Sequence, residues 1–505
     1  MRTPTRTKIV ATIGPATRDL EAIRELREAG MGVARLNLSH AELEWHAETI
    51  RRIREAAPDV PVLLDLPGRK IRTAQLAHEP TFRRGDTLVL TTDPTHDGTA
   101  KVPVSYDHLH EDLTAGDVIL ADDGTLRFTV VEIAGLDIRC RAEMDGQLKS
   151  RKGINVPHVR LRTRLLGERE LRMIRFAEEN GADYVGVSFV ESAAHVEAVR
   201  SVIRDEWPRI VAKVENQRGL DRVEEVAKAA DAIMIDRGDL SVETSLENLA
   251  VLQKRIVEVA RRFGKPVIVA TEMLHSMIKS PFPTKAEVTD IANAVFDGAS
   301  ATMLSGETAS GENAHEAVEV MRRVIESSET HLHGAKPAWA QTAARAATSI
   351  PEAMGEAIGL LCRSLPLTKI VAVTLGGFSA RMVSAQHPSQ PILAVTNDAR
   401  AARAFHLMPG VRGIAVDVPF SRDSTDHIAR CLEELWRRGE ILDHDLILVT
   451  SVSYPSPGNR MNLIETHRVA DLVRALGWKP AATTRASSST ALKVIEAATS
   501  NTARP

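Results

Sequence analysis

Cysteine is scarce. Cys140, Cys362 and Cys431 are the three in 505 residues, and they lie far apart. That excludes a disulfide framework or a cysteine zinc cluster and leaves reduced thiols, as expected in the cytoplasm. An excess of charge of either sign is missing too, with 64 Lys and Arg against 67 Asp and Glu. Without a global field there is no basis for binding nucleic acid or an anionic membrane, so partners should be small and met by local charge. No apolar run is long enough for a signal peptide or a membrane span, which predicts a soluble protein. What the chain does have is an ordinary globular composition, 43% hydrophobic and 26% charged, and length for roughly two to four domains.

Through the first 330 residues, short β-branched apolar runs alternate with amphipathic stretches, the pattern of βα units and a parallel sheet. The eight runs are KIVATIG from Lys8, GVARLNLS from Gly32, VPVLLDL from Val60, DYVGVSF from Asp183, RIVAKVEN from Arg209, AIMIDRGD from Ala232, PVIVATEM from Pro266 and ATMLSGE from Ala301. Eight strands, each followed by a helix, predict a TIM (β/α)₈ barrel over 1–73 and 161–335. Residues 74–160 break the period with alternating strands and Gly-Asp turns, as in RRGDTLVL and AGDVILADDGTLRFTV. They predict an inserted β-rich lid domain on the face where such barrels keep their active sites. From 336 the alternation restarts with KIVAVTL, PILAVT, RGIAVDV and DLILVTSV, too few strands for another barrel, so a C-terminal three-layer α/β domain is expected to 480. The Ala-, Ser- and Thr-rich stretch 481–505 predicts a flexible tail.

Polar residues at the carboxyl ends of barrel strands converge on one mouth. Arg35, Asn37 and Ser39 close the second strand, Asp65 the third, Ser188 the fourth, Lys213 and Glu215 the fifth, Asp239 the sixth, Thr271 the seventh, and Ser305 and Glu307 the eighth. Any one of them alone is more often a loop residue bonded to nearby backbone. Lys213 and Glu215, two apart on a strand, point the same way. They form either an ion pair with a neighbouring strand or, with Asp239, a site for Mg²⁺ or Mn²⁺ beside an amine suited to a transferring phosphoryl group.

The segments TKIVATIGPAT, GMGVARLNLSHA, IVAKVENQRGLD, IMIDRGDLSVE, GKPVIVATEMLHSMIKSPFPTKAEVTDIANAVFDG and MLSGETASG resemble, in order and spacing, those of the pyruvate kinase family. The resemblance extends to about Val469 and includes ILADDG and KSRKGINVP of the lid. It implies transfer of phosphate from phosphoenolpyruvate to ADP, giving pyruvate and ATP. Glu215 and Asp239 match the metal-binding carboxylates, and Lys213 the lysine that stabilises the phosphoryl group in flight and the enolate left behind. Thr271 matches the threonine implicated in proton delivery through water, and Arg35 the arginine on the phosphoryl oxygens. The amides of Gly238 and Asp239 match the cradle for the substrate carboxylate. Arg72 and Lys152 match nucleotide phosphate contacts, with Asn37 also on the nucleotide side, and Asp123 matches an acid that meets the nucleotide-bound metal. Lys152 lies in KSRK, where a solvated charge cluster is an equal alternative. The resemblance also implies a homotetramer.

Departures from the family pattern add expectations. Where most members read D-T-K-G-P-E-I-R, this chain has Asp65-Leu66-Pro67-Gly68-Arg69-Lys70-Ile71-Arg72. Most members hold K⁺ between that Asp, neighbouring backbone, and positions matching Asn37 and Ser39. Lys70 matches the lysine of members that need no monovalent cation, so an ammonium near Asp65 is expected to replace K⁺; Arg69 has no assigned role. Asp236 stands where a small residue is common and Ser241 where Gly is, and an added acid there should weaken substrate binding unless it faces Arg237. In TLGGFSARMV, Thr374, Gly376, Gly377 and Ser379 form either a phosphate cradle for a phosphorylated effector or a tight turn with Ser379 as helix cap. A metal-dependent lyase and a silent metabolite sensor are the rival functions. Arg72 and Lys152 argue against the first, and Lys213, Glu215, Asp239 and Thr271 against the second.

Overall fold

The computed structural model describes residues 5–68, 70–162, 166–334, 349–420, 424–452 and 461–479. Arg69 and the stretch 481–505 lie outside the described residues. Eight parallel strands close a barrel in chain order: Lys8–Thr12, Met31–Asn37, Val62–Asp65, Tyr184–Val187, Arg209–Val214, Ala232–Asp236, Val267–Ala270 and Ala301–Leu304. All eight apolar runs named from sequence form these strands. Their residues are buried on both faces, as parallel strands covered by helices must be.

Alternation along each strand decides what reaches the mouth. Ile9, Ala34, Leu64, Ala212 and Ile235 pack outward against the helices, while Val10, Val33, Leu63, Val211 and Met234 fill the interior. Two residues further along the inner rows come Thr12, Arg35, Asp65, Lys213 and Asp236. Register staggers them round the barrel: Thr12 is opposite Arg35, but Arg35 is opposite Leu63, two residues before Asp65, and Lys213 is opposite Met234, two before Asp236. The polar layer is therefore a direct product of period two and parallel pairing.

The third strand leads into the lid. It is a curled seven-stranded sheet, ordered Ile71–Arg72, Gly153–Asn155, Val118–Ala121, Leu126–Ala134, Asp137–Ala142, Thr87–Thr91 and Val102–Pro103. Its core is built round Phe128, Leu90 and Ile119. Among the contacts between lid and barrel, Asn155 Nδ2 donates to Glu243 Oε1 at 2.7 Å, and a Cβ at Gly124 would lie 3.5 Å from Val242.

The C-terminal sheet is five-stranded, ordered Val411–Ala415, Ile392–Thr396, Lys369–Val373, Leu446–Ser451 and Leu463–Arg468. The first four were legible in sequence. The last is antiparallel to its neighbour and escaped notice because LIETHR is a partly exposed edge strand. This domain also plugs the barrel floor. Ala404 and Leu407 join the barrel's inner cluster, Tyr184 Oη donates to the Ala404 carbonyl at 2.7 Å, and Arg403 pairs with the buried Asp183 at 3.2 Å.

Candidate active site

Lys213 is the centre of the mouth. Its Nζ lies 2.8 Å from Glu215 Oε1, 3.3 Å from Asp65 Oδ1 and 3.5 Å from Asp236 Oδ2, and donates to Ser188 Oγ at 3.1 Å. Burial alone would lower the lysine pKa. Asp65, Glu215 and Asp236 outweigh it and hold the ammonium form well above the usual lysine range.

Arg35 is equally fixed. Its Nε and Nη2 donate to Asp65 Oδ2 at 3.0 and 2.6 Å, and Nη1 donates to Thr12 Oγ1 at 2.9 Å. Asp65 is 2% exposed in its side chain. Burial works to raise its pKa, but Lys213 and Arg35 prevail and hold it below the usual carboxylate range. Asp65 thus orients two cations from strands on either side of its own.

Glu215 behaves in the opposite way. Burial raises its pKa, with Asp236 and Asp239 adding to the rise and Lys213 opposing it. Its Oε2 accepts the Phe189 amide at 2.6 Å. Its Oε1 is buried and is met by the Lys213 ammonium at 2.8 Å as an ion pair, with no other donor on it. Oxygens of Glu215, Asp236 and Asp239 all lie within 4.8 Å of one another. Three carboxylates gathered so closely, with one ammonium among them, offer hard oxygen donors that fit a divalent ion of the Mg²⁺ or Mn²⁺ type.

Around this centre the backbone is strained. Phe189 has φ +51° and Thr271 φ +69°, both uncommon for such side chains. The first conformation delivers the amide to Glu215. At Thr271 the hydroxyl donates to the Ala270 carbonyl at 2.6 Å and accepts the Gly238 amide at 2.9 Å. Gly238 sits at the start of the short helix Arg237–Glu243, which also carries Asp239.

Lys70 corrects one expectation. Asp65 is already paired with Arg35 and Lys213, so Lys70 reaches across the mouth to Asp239 Oδ1, 2.6 Å away, with Asp123 Oδ1 of the lid at 3.4 Å. Burial lowers the Lys70 pKa, but these two acids reverse the effect and raise it. Asn37 Oδ1 accepts the Ser39 amide at 3.1 Å, Ser39 is exposed, and the carbonyl of buried Leu66 accepts from Ser188 Oγ at 2.9 Å.

Asp236 does not face Arg237. It faces Lys213, while Arg237 turns to Asp290 at 2.7 Å and to the Thr271 carbonyl at 2.6 Å. Ser241 Oγ donates to the Gly238 carbonyl at 2.9 Å.

On the lid, Asp122 and Asp123 occupy successive left-handed positions, φ +52° and +54°. Lys152 pairs with Asp122 at 2.6 Å, and exposed Arg72 donates to the Arg151 carbonyl at 3.0 Å. One strand-end residue is turned to structural work: Glu307 accepts the amides of Leu274 and Ser305 at 3.1 and 2.7 Å.

The glycine pair of the C-terminal domain lies apart from this mouth. Thr374 Oγ1 accepts the Gly377 amide at 3.1 Å, Arg209 donates to the Gly376 carbonyl at 2.8 Å, and Ser379 is buried. The helix cap is Gly377, in a left-handed conformation at φ +82°, rather than Ser379.

Sequence reasoning missed Thr12, the Phe189 amide and the third carboxylate, Asp236, as parts of one constellation. The inner-row alternation offered a signal for Thr12 and Asp236; Phe189 offered none.

Comparison with known proteins is consistent from end to end. Residues 4–318 match the family described as pyruvate kinase, barrel domain, and 352–467 match pyruvate kinase, alpha/beta domain. Pyruvate kinase of Bacillus licheniformis is 36% identical over 479 residues, covering 93% of this chain and 81% of that protein. Pyruvate kinase 2 of a Synechocystis strain is 36% identical over 488 residues, covering 94% and 81%. A crystal structure of a pyruvate kinase from Cryptosporidium parvum superposes with a TM-score of 0.82 at 32% identity, covering 92% of this chain and 96% of that one. No helix among the described residues is long and apolar enough to cross a membrane. With a (β/α)₈ barrel, an inserted lid and a mixed α/β domain matched in sequence and structure alike, this chain belongs to the pyruvate kinase family and carries its activity, phosphoryl transfer between phosphoenolpyruvate and ADP.

Proposed function

We propose that the transfer runs at the layer formed by Arg35, Lys213, Glu215, Asp239 and Thr271, and that Lys70 removes the need for a monovalent cation. The observation that carries this is the Lys213 ammonium 2.8 Å from the buried Glu215 Oε1, with oxygens of Glu215, Asp236 and Asp239 within 4.8 Å of one another. Glu215 and Asp239 would hold a divalent ion, which would supply positive charge to offset that building up on the substrate oxygens.

The protein supplies the rest. Arg35, aimed by Asp65 and Thr12, presents a planar guanidinium to phosphoryl oxygens. Lys213 stays an ammonium because three acids surround it, so it can stabilise charge on the phosphoryl group and then on the enolate. The Gly238 and Asp239 amides cradle the substrate carboxylate, with Thr271 Oγ1 ceding the Gly238 amide when substrate arrives. The Thr271 hydroxyl then orders the water that protonates the enolate carbon. Arg72, Lys152 and Asn37 face the nucleotide, with Asp123 at its metal.

Lys70 brings a positive charge to the rim of the mouth from the position where the usual family segment has an acid, within reach of both Asp239 and Asp123. Asn37, Ser39, Asp65 and Leu66 surround the position that K⁺ would otherwise take. The enzyme is inferred to work as a cytoplasmic homotetramer, on family resemblance. Steady-state assay of ATP formation with Mg²⁺ in buffer free of sodium and potassium tests the reading. The rate should hardly rise with KCl. A strong rise overturns the role of Lys70, and no ATP formation under any condition overturns the transfer itself.

A further inference from the structure

Asp236 is the buried acid at the mouth that the transfer does not use. It extends from the inner row of the sixth strand, and the cation within ion-pair reach of it, among the described residues, is Lys213 at 3.5 Å. Lys213 is already served by Glu215 and Asp65 at shorter range, so a third acid is not needed to neutralise it. A carboxylate in so enclosed a place is costly unless another cation meets it.

The charges say which cation. Asp65, Glu215, Asp236 and Asp239 face Arg35, Lys213 and Lys70. A metal on Asp239 must displace Lys70, which holds that carboxylate at 2.6 Å and has Asp123 of the lid as its alternative partner at 3.4 Å. Once Lys70 has moved, four carboxylates face two cations, an excess of two negative charges and the charge of one divalent ion. Independently, Glu215 Oε1 is buried with no hydrogen-bond partner beyond its ion pair with Lys213, and an oxygen of Asp236 lies within 4.8 Å of oxygens from both Glu215 and Asp239.

We infer that Asp236 is a third carboxylate ligand of the divalent-ion site, which lets this enzyme hold its metal tightly before substrate binds. The inference rests on the metal site proposed above for Glu215 and Asp239. A third acidic ligand strengthens the hold on a hard cation by charge and by ligand number. It also places one more negative charge beside an anionic substrate, so tight metal binding and weaker grip on free phosphoenolpyruvate should go together.

The test is Mn²⁺ binding to the substrate-free protein, followed by electron paramagnetic resonance of the unbound ion and by the rise in melting temperature that Mn²⁺ produces. Asp236→Asn keeps the shape and Asp236→Ala removes the ligand. Both should weaken Mn²⁺ binding at least tenfold and shrink the thermal shift, and Glu215→Gln should abolish specific binding. If Glu215→Gln abolishes binding while both Asp236 variants keep the parent affinity, Asp236 is only a counter-ion of Lys213 and the inference fails alone. If Glu215→Gln leaves binding intact, the metal site itself is misplaced. Should Asp236→Ala not fold, Asp236→Asn with a parent-like melting curve in metal-free buffer decides the matter.

Discussion

Lys70 Nζ lies 2.6 Å from Asp239 Oδ1, joining the segment that follows the third strand to the helix that follows the sixth. The contact spans the mouth and places an ammonium on a carboxylate proposed to hold the divalent ion. Two cations cannot share Asp239 at close range without strong repulsion.

Lys70→Met is therefore expected to bind Mn²⁺ about tenfold more tightly, a change of about 1.4 kcal/mol, and to respond to KCl more strongly than the parent. Mn²⁺ titration and an assay with and without KCl check both. Unchanged Mn²⁺ affinity would break the link between Lys70 and the metal.

Lys213→Met should lower kcat by about 10²–10³, the cost of losing one preorganised charge at the reacting group. It also strands Asp65, Glu215 and Asp236 without their shared ammonium. Asp65 and Glu215, both of which lose a favourable charge, then resist ionising in the folded state, so the variant should melt below the parent near pH 8, and the gap should narrow as pH falls and they take up protons. Melting curves at several pH values check this, and a gap that does not change with pH would contradict it.

The eight barrel strands were legible because buried parallel strands must be apolar and β-branched throughout, and the lid because Gly-Asp turns punctuate alternating strands. The inner row carrying Arg35, Lys213 and Glu215 followed from period two. Lys70 was misplaced since a long side chain at a strand end can reach several neighbours, and sequence does not say which acid is already taken. Nothing in the letter Phe foretells φ +51° at Phe189. The plug formed by Leu407 depends on how one domain docks beneath another, which local pattern does not encode.

That plug predicts a stability effect far from the chemistry. Leu407 is 1% exposed and lies among the inner residues of the barrel. Leu407→Ala should cost about 2–5 kcal/mol while leaving the turnover of folded enzyme near the parent value. Denaturant titration with activity measured below the transition checks it, and an unchanged midpoint would refute the packing role.

His406 lies beside the plug, with Nε2 buried and unpartnered. Burial, aided by Lys8 and Arg27 and opposed by Asp59, pushes its pKa down to about 4. The unfolded chain takes up this proton near pH 6.5, so the imidazole favours unfolding progressively as pH drops from about 6.5 to about 4 and adds nothing further below. His406→Gln should melt with a shallower pH dependence across that window. Parallel curves for parent and variant would show that folding leaves the proton affinity of His406 unchanged, against the burial effect.

Anomalous scattering from a crystal soaked in Mn²⁺ and oxalate, a mimic of the enolate, addresses the placement of the chemistry. The expected peak lies between Glu215 and Asp239, in contact with oxalate and with the Lys213 ammonium turned toward the bound anion. A peak elsewhere, or Lys213 turned away from the anion, would contradict it.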